Sequence, residues 1–567
     1  MTGARLPASF AGLVIAISLQ CPEGRAQGPE KLPPADRPAA GSAETALFQR
    51  VETTGASSAA SALHRDELRR LYRPGGHAPV WLGPDGRPGD NAAAALGLLR
   101  RAADEGLDPA HYRAASLADR GAALAAADPP LQQSAAIWDV DLSLAVLRYL
   151  RELHLGRVDP GALGFRVSPA RHAEHDFAEL LRTALLVQRL PQLAVELVPP
   201  MAQYRGLRDQ LAHYRGLAAD PDLAVLPETE TLRPGQAYRG LQALRTRLSA
   251  FGDLAVEVAG AQPPALYDGA LVDGVRQFQA RHGLQDDGLV GKATRAALNV
   301  SPARRVRQIE LAMERMRWLP HRSERAVLAI NIANFRLWAW APGAPEDSPA
   351  LSMEVIVGRA LKTQTPVFSE DMRYLIFRPY WNVPKSIVRN EVLPAIARDP
   401  LYLRRHQMEI VRGPGDDARP VEATADNIAL LARGALRLRQ RPGPRNSLGL
   451  VKFIFPNDDS VYLHDTPTQR LFSRSRRDFS HGCVRVANPV ALAEWLLQDQ
   501  PQWTRERIVA AMQGAQTLRV DLKQPVPVLL YYTTAFVMPQ DRLLHFADDI
   551  YGHDATLERA LALAQRR

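Results

Sequence analysis

The sequence predicts a multidomain α+β chain: a helical N-terminal scaffold domain, a small three-helix module, and a mostly-β domain carrying a helical insertion. Three observations carry this expectation. Apolar residues recur at three- and four-residue spacing in Ala93–Ala103, Ala135–Leu155 and Phe177–Val198, the period of a helix with one buried face. From Val327 onward the pattern changes to short β-rich runs separated by turn residues. A chain of 567 residues with 46% hydrophobic content is also long enough for three or four domains.

In chain order, residues 1–26 hold Arg5, an apolar run from Phe10 to Leu19 and the small-residue stretch Gly24-Arg25-Ala26. That run is short for a transmembrane span, and the pattern is that of a signal peptide cut after Ala26, with an uncleaved anchor as the alternative. Gln20 argues against a lipoprotein role for Cys21, since a small residue should precede such a cysteine. Cleavage would leave Cys483 as the sole cysteine, unable to form an internal disulfide in an oxidising compartment and so suited to a reactive role. Residues 27–60, rich in Ala, Pro, Gly and Ser, are expected to be a flexible linker.

The helical scaffold is expected over 61–230, with Asp139 and Asp141 as solvated or capping carboxylates rather than a catalytic pair. Residues 237–299 predict a small separate module with helices Gly240–Ala250, Leu271–His282 and Lys292–Leu298. Within it Asp287-Gly288 makes a tight turn, and Gly291 with Thr294 starts the last helix. An amphipathic helix from Arg304 to Trp318 opens the 304–545 domain. Its β runs are Val327–Ile332, Arg336–Trp340, Ser352–Val357, Arg373–Phe377, Leu450–Phe455, Ser460–His464, Leu518–Leu522 and Val526–Val537. A charged, helical insertion occupies 387–445, and 546–567 is expected to be a C-terminal tail.

The net charge of +9 comes from arginines spread along the chain, not from a basic block with interleaved aromatics, so nucleic-acid binding is not indicated. Attraction to an anionic wall or membrane surface accounts for it, as does an arginine-rich composition. One cysteine and scattered histidines make no metal ligand set, and nothing indicates a cofactor.

The chemistry concentrates in Val461–Val486. A thiol attacks as its thiolate and needs a nearby base; His464 and His481 are the candidates for Cys483. If Val484–Val486 is a strand, His481 and Cys483 start on the same side of the backbone. His464 can reach the thiol only if the strand it ends lies beside the one starting at Cys483, with 465–479 looping between them. Gly482 lets the backbone pass close to a reacting carbonyl, and the amides around it are candidate oxyanion donors.

His464, fifteen residues, then Ser480-His481-Gly482-Cys483-Val484-Arg485 resembles the signature of the YkuD-type L,D-transpeptidases, cysteine enzymes that cross-link peptidoglycan. The flanks FRPYWNVPKSI (377–387), RQRPGPRNSLGLVKFIFPN (439–457) and VYLHDTP (461–467) resemble the large YcbB (LdtD) branch, and the likeness runs from roughly residue 60 to the end. Val275–Leu298 resembles the peptidoglycan-binding domain type 1 through Phe278, Gln279, Gly283, Leu284, Asp287, Gly288, Gly291, Thr294 and Leu298.

The resemblance implies a periplasmic enzyme whose cap insertion covers the site. Cys483 would attack the third-residue carbonyl of a tetrapeptide stem, release D-Ala, and pass the thioester to another stem's amine as a 3-3 cross-link. His464 would be the base, oriented by a backbone carbonyl near Asp465. His481, Gly482 and Cys483 would shape the oxyanion hole beside Ser480, and Tyr462 would place its hydroxyl in the pocket. Arg485 would hold a stem carboxylate or else make a structural ion pair, and Trp381 would line the donor site or else be a core aromatic. Carbapenems would acylate Cys483, and peptidoglycan synthases are the implied partners. An L,D-carboxypeptidase or other wall-peptide hydrolase, or a non-catalytic wall-binding protein, are the alternatives.

Overall fold

The computed structural model describes residues 43–565 apart from 54–58, 129–131, 168–174, 221–222, 256–265, 321–324, 361–362, 416 and 539–540. The expected signal peptide and Cys21 lie outside the described residues.

The N-terminal region is helical, built around Gln132–Leu155, which is buried on nearly all sides and carries Trp138, Val140, Leu142 and Leu150 into one core. The expected linker over 27–60 is contradicted within the described residues. Ala43–Thr53 is a helix, because Leu47 and Val51, four apart, bury completely against that core and Arg50 pairs with Asp141 at 3.1 Å. Leu47→Ala is therefore expected to destabilise the scaffold by roughly 2–5 kcal/mol in urea unfolding; an unchanged midpoint would restore the linker reading. Asp139 is also a correction. It is fully buried and accepts from the Tyr72 hydroxyl at 2.6 Å and the Trp81 amide at 2.9 Å, with burial pushing its carboxyl up to about 6. It sits at the helix position whose neighbours are core residues, so solvent was never available to it.

The three-helix module forms at Leu241–Ala250, Gly269–Arg281 and Lys292–Leu298. Buried Gln279 knits it together, donating to Asp287 Oδ1 and Thr294 Oγ1, both at 3.0 Å, and accepting from the Gly288 amide at 2.8 Å. It is not separate from its neighbour. Phe278 and His282 stack in line with Phe546, so its core runs on into the C-terminal domain, and Arg281 bridges buried Asp253 to the Leu544 carbonyl.

The helix Pro302–Trp318 is amphipathic by sequence but buried by structure. Arg305, Glu314, Arg315 and Arg317 lie inside, where burial of a charge requires a partner: Arg315 meets Asp554 at 2.6 Å and Glu314 meets Arg317 at 3.2 Å.

The C-terminal domain has strands β1 (Val327–Asn331), β2 (Arg336–Trp340), β3 (Leu351–Gly358), β4 (Phe368–Phe377), β5 (Trp381–Asn382), β6 (Met408–Arg412), β7 (Arg419–Val421), β8 (Arg437–Gln440), β9 (Val451–Ile454), β10 (Leu463–His464), β11 (Asp478–Ser480), β12 (Val484–Val486), β13 (Leu518–Tyr531), β14 (Ala535–Val537) and β15 (Leu544–Phe546). Nine make one sheet in the order β11-β3-β12-β10-β9-β4-β13-β1-β2, and a β2–β3 pairing curls it back on itself. The insertion has its own sheet, β5-β8-β6-β7, over its own core of Val388, Val392, Ile396 and Leu438. The expected strand Ser460–His464 begins only at Leu463, because Asn457 captures both polar groups of Val461 and Ser460 turns at φ 56°. The expected C-terminal tail is folded: His553–Gln565 is a helix that buries Leu557, Leu561 and Asp554.

Candidate active site

β10 and β12 pair in parallel, with Leu463 opposite Val484 and His464 opposite Arg485. The Val484 amide donates to the Tyr462 carbonyl at 3.1 Å, so the register carried back sets Cys483 beside Tyr462. Leu463, Val484 and Val486 are fully buried in the core. Alternation then turns Tyr462, His464, Cys483 and Arg485 onto the opposite face together. On β9 Lys452 stands opposite His464 and joins that face.

His464 is buried and its Nδ1 lies 2.5 Å from the Asp465 carbonyl. A carbonyl only accepts, so Nδ1 carries the proton and Nε2 is left with the lone pair. Burial first, then the positive charge of Arg485, hold the imidazole down to about 3 against the pull of the Asp465 and Leu448 carbonyls. Asp465 is itself fixed by the Leu450 and Thr466 amides at 2.8 and 2.7 Å. Gly449, at φ 64°, leaves it room: a Cβ there would stand 2.3 Å from Asp465 Oδ2.

The half-buried Cys483 thiol is pushed up by burial, partly opposed by hydrogen bonds from Tyr462 and by the fields of Arg485 and Lys452. Its Sγ stands 3.8 Å from the Ser460 carbonyl. At rest the pair is thus a neutral thiol and a neutral imidazole. Burial lowers the Arg485 guanidinium, and its buried Nε has no hydrogen-bond partner among the described residues.

The turn 480–483 is braced within itself: Ser480 Oγ donates to the Cys483 carbonyl at 2.5 Å and accepts from the Gly482 amide at 3.2 Å. Gly482 sits at φ +113°, where any side chain would be strained. Its amide is used by Ser480, which leaves the His481 and Cys483 amides as the candidate donors of this turn. Thr365 Oγ1 holds the Gly482 carbonyl at 2.8 Å, and the Thr365 amide donates to the Tyr551 hydroxyl at 3.1 Å. Thr365 and Tyr551 were invisible to sequence reasoning because no local pattern links them to the cysteine. Lys452 stood within a quoted flank, and its place opposite His464 needed only the strand pairing.

One expected residue goes elsewhere. His481 does not share the Cys483 face; residues 481–483 bend, and its Nε2 meets Glu391 of the insertion at 2.6 Å. Trp381, on β5, packs against the insertion's core. A cavity of about 410 Å³ lies between the helix Ala202–Ala218 and the outer face of β1, β2 and β13, lined by Met316, Trp338 and Tyr531 among others, and includes none of these residues. Among the described residues no cluster of metal-ligating side chains occurs, and no helix is long and apolar enough to cross a membrane.

Residues 325–526 match the YkuD L,D-transpeptidase catalytic domain, 66–211 a scaffold domain, and 239–298 the "Putative peptidoglycan binding domain". A Haemophilus influenzae protein named "Putative L,D-transpeptidase" is 32% identical over 231 residues, 41% of this chain and 45% of that protein, so the chain spans less than half the relative's length. Among solved structures, an L,D-transpeptidase from Xylanimonas cellulosilytica is 17% identical, covering 54% of this chain and 99% of its own at a TM-score of 0.15. The Ldtfm–avibactam carbamoyl enzyme is 10% identical, covering 57% and 98%, also at 0.15.

Proposed function

We propose that this chain, which carries a YkuD L,D-transpeptidase catalytic domain and a peptidoglycan-binding domain, is an exported cysteine acyltransferase of the YcbB-like branch that forms 3-3 cross-links in peptidoglycan. The observation that carries the reading is the single strand-pair face bearing Cys483, Tyr462, His464 and Arg485, with His464 Nδ1 committed to the Asp465 carbonyl, which leaves the lone pair on Nε2.

Cys483 Sγ attacks the third-residue carbonyl carbon of a tetrapeptide stem while His464 Nε2 takes the thiol proton. Tyr462 donates to the developing thiolate, and the His481 and Cys483 amides receive the oxyanion. Collapse breaks the C–N bond, His464 protonates the leaving D-Ala amine, and a thioester remains. A second stem's side-chain amine attacks it, losing its proton to His464; the C–N bond forms, the C–S bond breaks and the thiol is restored. Water as acceptor gives the L,D-carboxypeptidase instead, with the same residues. The cap would shelter the thioester from that water.

The defining test is incubation of the mature protein with disaccharide-tetrapeptide and mass analysis of products. Dimers linked 3-3 with loss of D-Ala are expected. Tripeptide alone would mean the carboxypeptidase, and no product with no carbapenem adduct would leave a wall-binding protein.

Arg485, partly buried on the nucleophile's face and with no ion pair among the described residues, fits a stem carboxylate better than a structural role. Arg485→Met is expected to raise KM for the tetrapeptide roughly 10- to 100-fold, the worth of a charge-assisted hydrogen bond, without lowering the melting temperature. A falling melting temperature with unchanged KM would identify a structural residue.

A further inference from the structure

We infer that Glu391, in the cap, is a positioning residue for the catalytic turn, coupling the seating of the cap to the oxyanion donors; this rests on the acyl-transfer reading above. The turn 480–483 is held from three sides. Within it, Ser480 ties Gly482 to Cys483. From the barrel, Thr365 holds the Gly482 carbonyl at 2.8 Å. From the cap, Glu391 Oε1 accepts from His481 Nε2 at 2.6 Å.

These three supports differ in kind. Ser480 and Thr365 are 2% and 1% exposed, so breaking either strands a buried polar group. The Glu391 and His481 side chains are 52% and 32% exposed, so water can replace each partner and the contact can open and close. It is the one side-chain hydrogen bond among the described residues that joins the cap's helical run 385–398 to residues 480–483. Because the cap has its own sheet and core, releasing that contact need not disturb the barrel.

Glu391 lies in a π-helical turn, Val388–Val392, where Val388 and Val392 fill the cap's core. Such turns carry one residue more than an α-helical turn and often re-aim a functional side chain; here Glu391 leaves the core and reaches the catalytic turn. Fixing the His481 ring fixes the peptide that leads into Gly482 at φ +113°, and the His481 and Cys483 amides flank that glycine. A seated cap therefore holds the oxyanion donors in place, and an unseated one relaxes them.

The test uses the full chain as wild type, Glu391→Ala and Glu391→Gln. Carbapenem acylation of Cys483 is followed by intact mass, iodoacetamide alkylation serves as a reaction that needs no oxyanion hole, and hydrogen exchange is read over 385–398 and 480–486. Glu391→Ala is expected to slow acylation at saturating carbapenem about tenfold, with alkylation changed less than twofold and exchange faster in those two segments only. Glu391→Gln, which still accepts a hydrogen bond, is expected to recover most of the rate. Unchanged acylation and exchange in Glu391→Ala would overturn the inference, as would acylation and alkylation falling together. If wild type gives no adduct at all, the acyl-transfer reading fails, and exchange alone then decides whether Glu391 seats the cap on the turn.

Discussion

Cys483→Ala is expected to remove D-Ala release, dimer formation and carbapenem adduct together, by about a thousandfold or more, while leaving the melting temperature within a few degrees of wild type. The two halves of that result have separate grounds. The covalent intermediate is the mechanism, and deletion of a nucleophile disables every step that depends on it. Stability is spared because the thiol is half-buried and its contact with the Ser460 carbonyl, at 3.8 Å, is a weak one. Cys483→Ser is expected to be as inactive, since a hydroxyl is far less acidic and an imidazole held at about 3 is a weak base for it. Burial also raises the wild-type thiol, so its alkylation by iodoacetamide should still be accelerating above pH 9. Residual dimer in Cys483→Ala, by mass analysis of the same digest, would place the nucleophile elsewhere.

How much of this was legible in the sequence follows from which forces act locally. Helical and strand periods, the Asp287-Gly288 turn and the His464…Cys483 spacing are local, and the structure realises them. The orientation of His464 by the Asp465 carbonyl was implied by resemblance and is present at 2.5 Å. What failed was tertiary. Ala43–Thr53 looked like linker because its composition is bland, yet Leu47 and Val51 suffice to dock it. Asp139 and the charged face of Pro302–Trp318 looked solvated because burial of charge depends on partners distant in sequence, such as Asp554 for Arg315. Residues 546–567 carry no motif, but Tyr551 reaches Thr365 and through it the catalytic turn. His481 was placed beside the thiol by strand alternation, and the bend at Gly482 turned it to the cap instead.

His464→Gln is expected to lower kcat/KM for the tetrapeptide by roughly 10²–10⁴-fold, the usual worth of a positioned general base. Gln keeps a polar group of similar reach but cannot accept a proton, so the loss measures proton transfer rather than packing. The pH dependence of the wild type carries the sharper test. A base works only when unprotonated, so activity is lost as pH falls through its pKa. With His464 held at about 3 in the substrate-free enzyme, the acid limb of kcat/KM should lie far below the 6.5 of an ordinary imidazole, and the rate should not fall between pH 8 and 5 on its account. Burial first, then Arg485 and last Lys452, depress this group, and of these only the charges can be neutralised by a ligand, Arg485 being the larger. A stem carboxylate paired with Arg485 cancels that charge, so His464 becomes a better base once substrate is bound. The acid limb of kcat, which reports the bound enzyme, should therefore lie at higher pH than that of kcat/KM. Arg485→Met should shift the kcat/KM limb in the same direction and bring the two limbs together. A kcat/KM limb at pH 6–7 in wild type would mean that His464 is solvated and uncoupled from Arg485, and the substrate would then have no part in making its own base.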